Sequence, residues 1–495
     1  MNKTPNILFI MNDHQAYFNH INNRGEKPKT PNFDKLAKEG VKFENAYCST
    51  PLCGPVRRSI VSGLYPHTHK NYYNDSNIPY DEESYLRILA RNGYKNYYYG
   101  KWHAGPKTPL AEHNCEGFSC EGYGNPYITK EYKEYIKENN LPQARHFVEK
   151  DFSTASHKKS HFFEKMEEQK EYCCEDSWCG EHAVGKTITP KETHESFFLA
   201  NLAIKKLEEL AKNNTNQPWH LRLDFWGPHE PFFPTQEFID MYDPSKIEEY
   251  GNFSDDLADK AAVHSVDENN HISKNGKIII PNPLPWTQWQ IILSRVYAQI
   301  SMIDAAGGLV LNKIKELGLD ENTLIIWTTD HGDAIASHGG HFDKCSYMSQ
   351  EVMRIPLAMK WKNVIEANQN NNNLVCSLDF PQTILDAAGL QFNQKKPGES
   401  LLKLFTPEKK QWREGLMCET YGHGYIERIP ARMYVYKNWK YVWYKGQKEE
   451  LYNIEEDPYE LINLAYDDKY SSIKKQLKEM LNKDQIFSDD PIKID

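Results

Sequence analysis

The chain has 495 residues, of which 39% are hydrophobic, 13% aromatic and 26% charged. Its 30 Tyr, 21 Phe and 11 Trp supply a sizeable core and exclude a mainly disordered chain. A net charge of −10 argues against nucleic acid or an anionic membrane as partner, while leaving room for a small anion held by locally concentrated cations.

The first 13 residues hold only five consecutive apolar residues after one Lys and one Pro, too few for a cleavable leader. No apolar run reaches membrane-helix length, Ile7–Met11 and Ile278–Ile280 being strand-sized. The expectation is a cytoplasmic chain whose 10 Cys stay reduced.

Ile7–Met11 predicts a buried strand, with Asn12, Asp13, His14 and Gln15 at the carboxyl end where open α/β sheets bind ligands. Helical spacing follows over Asn32–Gly40 and over 82–92, each closing on Gly. A strand over Tyr94–Tyr99 runs into Gly100-Lys101-Trp102-His103. Residues 105–190 read as an irregular insertion carrying one charged helix, Lys130–Glu138. A long helix over Glu195–Asn213 precedes a strand over Trp219–Phe225 and a sharp turn at Gly227-Pro228-His229-Glu230-Pro231.

Residues 245–285 read as loop, Gln288–Leu317 as helix, and Asn322–Thr329 as a strand ending in Asp330-His331-Gly332. The Asn-rich run 368–373 reads as a surface loop. Beyond about residue 390, short aromatic strands (Met433–Tyr436, Lys440–Tyr444) and a closing helix predict a second unit. The alternation predicts an α/β fold: a large mixed, mostly parallel sheet flanked by helices over 1–388, then a smaller α+β domain over 389–495. No internal repeat is found.

Two distant strand ends finish in acid plus imidazole, Asp13-His14 and Asp330-His331. Converging strand ends can assemble a metal site, although an Asp there can equally cap a turn. Cys53 stands beside Arg57 and Arg58, which can acidify a thiol, although a buried structural Cys fits as well. Taken singly, Lys101 and Lys344 read as solvated charges, and His103 and His229 as satisfied polar groups. Cys115, Cys120, Cys173, Cys174 and Cys179 lack paired spacing and are read as no zinc site.

Cys53-Gly54-Pro55-Val56-Arg57 matches the C-x-P-x-R signature of the sulfatase family, in which that Cys is oxidised to formylglycine. Gly93-Tyr94 through Gly100-Lys101-Trp102-His103 resembles the second signature of the family. YAQISMIDAAGG and LGLDENTLIIWTTDHGD are similar to its long helix and metal-binding strand end, and ELYNIEEDPYELINLA to a segment of its C-terminal domain. The matches run in order along nearly the whole chain, outside about 105–190 and 245–285.

The resemblance implies an alkaline-phosphatase-like fold and a sulfuric ester hydrolase. It implies one divalent metal held by Asp13, Asp330, His331 and the oxidised Cys53, with His14 at a corner where many sulfatases carry Asp. Ca²⁺ is the first expectation, with Mn²⁺ favoured if both His14 and His331 coordinate, and Mg²⁺ also allowed. Arg57 would hold the formylglycine, and Lys101 and Lys344 would bind sulfate oxygens. His103 would orient the formylglycine hydrate that attacks sulfur, and His229 would protonate the leaving alcohol. Val56 and Asn96 depart from the usual small or hydroxyl residues and bear on subfamily and metal.

Implied partners are a small sulfated substrate (carbohydrate, aryl or choline sulfate) and a formylglycine-generating maturase, with no nucleic acid and no membrane; a homo-oligomer stays open. Aromatics of the two least similar segments, Phe118, Tyr123, Tyr127, Trp178, Trp286 and Trp289, divide between core and substrate lining. The alternative within enzymes is a phosphonate monoester or phosphodiester hydrolase, relatives that often lack the Lys101–His103 pair. A non-catalytic protein that binds a sulfated ligand is the alternative from another class.

Overall fold

The computed structural model describes residues 4–17, 25–74, 76–152, 166–175, 180, 182–213, 217–265, 284–344, 347–406, 411–423 and 428–494. Trp178, Cys179 and Ile278–Ile280 lie outside the described residues.

The central sheet has eight strands: β1 (Asn6–Asp13), β2 (Val41–Phe43), β3 (Lys95–Lys101), β4 (Cys115–Cys120), β5 (Trp219–Pro228), β6 (Thr323–Thr329), β7 (Leu357–Lys360) and β8 (Gln369–Asn371). Their spatial order is β8-β2-β7-β6-β1-β5-β3-β4. All neighbours are parallel except β7, which is antiparallel to β6 and to β2. β1 lies between two parallel strands and is covered on both faces, which explains its unbroken apolar run. Ile7, Phe9 and Met11 enter one core cluster, Leu8 and Ile10 the other.

One face packs against the helices Glu195–Asn213 and Trp286–Glu316. The other packs against the helices Cys53–Ser62 and Asp379–Ala387 and against the C-terminal sheet. That sheet is an antiparallel meander of Gly415–Thr420, Ala431–Tyr436, Trp439–Tyr444 and Glu450–Asn453. The closing helix Ser471–Phe487 buries Leu477 and Leu481. Among the described residues no helix is long and apolar enough to cross a membrane.

Two readings change. The segment 105–190 is not irregular throughout: beside the expected helix Lys130–Glu138, Cys115–Cys120 adds the edge strand β4, and Arg145–Asp151 pairs with Lys170–Cys173 and Ala183–Thr187. All of these strands but Ala183–Thr187 are only partly buried, so their hydrophobic periodicity is faint. Within the Asn-rich run, Gln369–Asn371 is a strand parallel to Val41–Phe43. At a sheet edge, backbone hydrogen bonds hold such a strand and its side chains stay polar.

Register builds the functional edge. Asn12 pairs with Thr329, Met11 with Asp224 and Gly100 with Asp224. Asp13, Lys101, Asp224 and Asp330 therefore emerge side by side from strands far apart in sequence.

Candidate active site

Cys53 opens a ten-residue helix whose every residue is buried. The helix ends on Gly63, whose φ of 69° supplies the left-handed cap. A thiol at a helix N-terminus meets partial positive charge from unpaired N–H groups. Sγ of Cys53 lies 3.0 Å from Nε2 of His331, whose Nδ1–H donates to the Gly332 carbonyl at 2.8 Å. Burial alone would push the Cys53 thiol up, but Lys101, Lys344, His331 and a hydrogen bond from His103 hold it well below the usual thiol range. Against the opposing effect of burial, Asp330 and Cys53 raise His331 to about 9. The two groups shift in opposite directions, each favouring the charged form of the other.

One helical turn on, the Arg57 guanidinium spreads over three strand ends. Its Nε donates to Asp330 Oδ2 at 2.8 Å and Nη2 to Asp13 Oδ1 at 3.1 Å. Nη1 donates to the Lys101 carbonyl at 2.8 Å and to Asp224 Oδ2 at 3.3 Å. Arg57 therefore ties the carboxylates together; its fork is spent on them rather than on Cys53. Burial pushes the Asp13 carboxyl up, with Asp330 and Cys53 adding to the effect against Lys101 and Arg57. Asp330 is held below the carboxylate range, because His331 and Arg57 outweigh its burial.

Lys101 pairs with Asp13 and lies over the Tyr123 ring, 4.1 Å from its centroid. Its placement needs Gly100: φ is 114°, and a Cβ there would stand 1.8 Å from the Asp224 carbonyl oxygen. His103, with φ 50°, reaches Cys53 from the same strand end.

His14 turns away from Cys53. Its backbone N–H donates to Asp330 Oδ1 at 2.9 Å, and its φ of 64° swings the ring toward Glu230, Asp343 and Asp333, at 3.2, 3.4 and 3.6 Å. Burial and Lys344 hold its imidazole well below the usual range, with Asp343 opposing. His229 donates Nδ1–H to the Glu230 carbonyl at 2.9 Å, which leaves Nε2 for Cys53. Burial and then Lys344 bring His229 down to about 4, against Glu230. Lys344 itself pairs with Asp343 at 2.8 Å.

All ten residues singled out in the sequence thus meet at one strand-end pocket, in two tiers. Ligand atoms of Asp13, Cys53, Asp330 and His331 lie within 4.8 Å of one another, and those of His14, His229 and Glu230 form an adjoining trio. Two buried carboxylates, one imidazole and residue 53 make a donor set that fits a divalent cation.

Sequence reasoning missed Asp224, which also receives Tyr98 Oη at 2.7 Å and the Arg222 guanidinium. The available signal was two charged residues, Arg222 and Asp224, inside an otherwise apolar strand. It also missed Asp333 and Asp343 beside His14. Of the aromatics considered, Phe118, Tyr127 and Trp289 are core, whereas Tyr123 stands in the site. Cys115 and Cys120 occupy opposite ends of β4, while Cys173 and Cys174 lie at the small three-stranded sheet.

A model of the sulfatase family matches residues 5–390, and one described as N-sulphoglucosamine sulphohydrolase, C-terminal, matches 337–486. The chain is 25% identical to an N-acetylglucosamine-6-O-sulfatase of Bacteroides thetaiotaomicron, over 98% of this chain and 86% of that protein. A solved complex with the substrate D-glucosamine-2-N,6-O-disulfate superposes with a TM-score of 0.70 at 19% identity, covering 99% of both chains. The phosphonate monoester hydrolase of Agrobacterium radiobacter gives 0.75 at 20% identity, over 98% of this chain and 96% of that one. At such identities the two solved structures speak for the fold, the alkaline-phosphatase-like one. The family match, running from residue 5 to residue 390, makes the chain a member of the sulfatase family and a hydrolase of sulfate esters.

Proposed function

We propose that the chain hydrolyses the sulfate ester of a small molecule, a sulfated carbohydrate, aryl sulfate or choline sulfate, with Cys53 converted to formylglycine beside one divalent cation. The observation that carries this reading is the convergence of Asp13, Asp330 and His331 on residue 53 at a helix N-terminus. Oxygen-rich ligands make Ca²⁺ the first choice, ahead of Mn²⁺ and Mg²⁺. His14, turned to Glu230, is the least favoured of the candidate ligands.

Formylglycine and the cation, when present, supply an oxygen nucleophile at position 53 and neutralise charge on the sulfuryl group. Lys101 and Lys344 bind sulfate oxygens, exchanging part of their hold on Asp13 and Asp343 for the substrate. Arg57 keeps the two carboxylates in register. His103 fixes the orientation of residue 53 by its hydrogen bond. His229, anchored through Nδ1–H, presents Nε2 to the leaving oxygen; it acts as the acid once the bound sulfate anion has favoured uptake of a proton from solvent at Nε2, and that proton passes to the leaving oxygen. Loss of one charged contact to the developing anion typically costs about 2.7–4 kcal/mol.

The buried helix around Cys53 suits oxidation by a maturase before the chain closes over it. The cytosol, a small imported substrate and an open oligomeric state complete the reading. A phosphonate monoester or phosphodiester hydrolase is the second reading, since one such enzyme shares the fold. The Lys101–His103 pair at residue 53 weighs for sulfate.

Steady-state kinetics on matched sulfate, phosphate and phosphonate esters test the choice; a preference for phosphorus would overturn it. Mass spectrometry of the active protein should place residue 53 about 18 Da below Cys. Chelation should abolish turnover, and readdition of Ca²⁺ should restore it. A fully active preparation with an intact thiol refutes the formylglycine reading.

A further inference from the structure

Tyr123 comes from the segment 105–190, which carries none of the short family motifs read in the sequence, yet it reaches the centre of the site. It stands between Gly122 and Gly124, both in the left-handed region with φ of 61° and 78°. A Cβ on Gly124 would stand 2.3 Å from Cβ of Cys120, so this turn admits no side chain there. The indole Nε1 of Trp226 donates to the Tyr123 carbonyl at 2.6 Å, tying the turn to the strand that leads to His229.

The ring meets three of the reactive side chains. Nζ of Lys101 lies 4.1 Å from its centroid, His229 makes an edge contact at 5.2 Å, and His103 stands perpendicular at 6.2 Å. Lys101, His103 and His229 are 0%, 6% and 8% exposed, whereas Tyr123 is partly open to solvent. Tyr123 is therefore the outermost member of the group, at the place where an alcohol protonated by His229 departs.

The Lys101 ammonium already occupies this ring. A quaternary ammonium on the leaving group would meet, across the ring, the like charge of Lys101. An uncharged ring, pyranose or aryl, would find an aromatic surface against which its C–H groups or π-face pack.

We propose that Tyr123 is the specificity-determining side chain of the site: it packs against an uncharged, ring-borne leaving group, holds the Lys101 ammonium in place, and disfavours an acyclic cationic alcohol. This rests on the sulfate-ester reading above and narrows it to one substrate class.

The test uses the matured, metal-loaded full chain with para-nitrophenyl sulfate, a sulfated N-acetylglucosamine and choline sulfate. The wild type should favour the better ring-borne ester over choline sulfate by about tenfold or more in kcat/KM. Tyr123→Phe should keep that ratio within about threefold, and Tyr123→Ala should reduce it by about tenfold or more. Loosening of Lys101 lowers turnover of every ester alike, so the ratio isolates the leaving-group contact. Tyr123→Leu keeps bulk without a ring and should behave as Ala does, guarding against a folding defect. An unchanged ratio in both Ala and Leu variants, or a wild type that prefers choline sulfate, overturns the assignment of Tyr123. If the wild type hydrolyses none of the sulfate esters, the underlying sulfatase reading fails instead.

Discussion

Nε2 of His331 approaches Sγ of Cys53 to 3.0 Å, and the two groups favour each other's charged form. Cys53 is held well below the usual thiol range by Lys101, Lys344 and His331 against its burial. Unconverted, metal-free protein should therefore show an ultraviolet thiolate band near pH 7, where a free Cys of pKa about 8.5 is mostly protonated. Subtracting the Cys53→Ala spectrum checks it; a band rising only above about pH 8 would contradict that mutual effect.

Arg57 is the shared counter-charge of Asp13, Asp224 and Asp330, all fully buried. Removing it withdraws one buried counter-charge from each, leaving Asp13 to Lys101, Asp224 to Arg222 and Asp330 to His331. Arg57→Ala should cost about 3–5 kcal/mol in the urea unfolding of metal-free protein. Arg57→Lys should recover little of this, because an ammonium cannot reproduce the three-way fork. Near-wild-type stability of Arg57→Lys would mean that the fork is not what orders the strand ends.

In the proposed reaction His229 protonates the leaving oxygen, so its value depends on how badly that oxygen needs a proton. His229→Gln should lower kcat by about 10²–10⁴ for an alkyl or sugar sulfate. For para-nitrophenyl sulfate, whose leaving group departs as a stable anion, the loss should be at least tenfold smaller, on the order of the Brønsted dependence of acid catalysis. Equal losses on both substrates would remove His229 from the acid role.

A second buried ion pair lies away from Cys53. Nδ1 of His338 stands 2.9 Å from Asp255 Oδ2, and Nε2 lies 3.4 Å from Glu351. Burial lowers His338, but Glu351 and Asp255 carry it to about 9. Burial raises Asp255, but His338 and Lys260 bring it to about 2. The raised His contributes stability that is complete below its unfolded value of about 6.5 and lost as pH rises through 9. The depressed Asp contributes stability that is present above about 3.9 and lost as pH falls through 2. Melting temperature should therefore drop from about pH 6.5 to pH 9, and His338→Gln should flatten that slope. A variant with the wild-type slope would place the alkaline loss elsewhere.

How much of this could be read from the chain depends on where each residue sits. Asp13 and Asp330 stood out because each closes an apolar strand buried on both faces, the strongest pattern a strand can write. Cys53, Lys101 and His103 stood out through family motifs, and register then explains why they meet. Asp224 did not, because its role comes from Arg57 on another element, 167 positions away. Tyr123 was one aromatic among several, and only the turn between two left-handed glycines selects it. The strands in 105–190 and at Gln369–Asn371 are held by backbone hydrogen bonds at partly exposed edges, where side chains leave little trace.

The position of β1 has a consequence for biosynthesis. β1 sits in the interior of the sheet and precedes both of its neighbours in the chain, residues 219–228 and 323–329. At about 5–20 residues per second, it waits some 15–60 s before its second neighbour exists. NILFIMND presents two unpaired edges until residues 219–228 are made, and one until residues 323–329 follow. Nascent chains of this protein should therefore engage holdase chaperones early and keep them until translation passes the Asp330 strand.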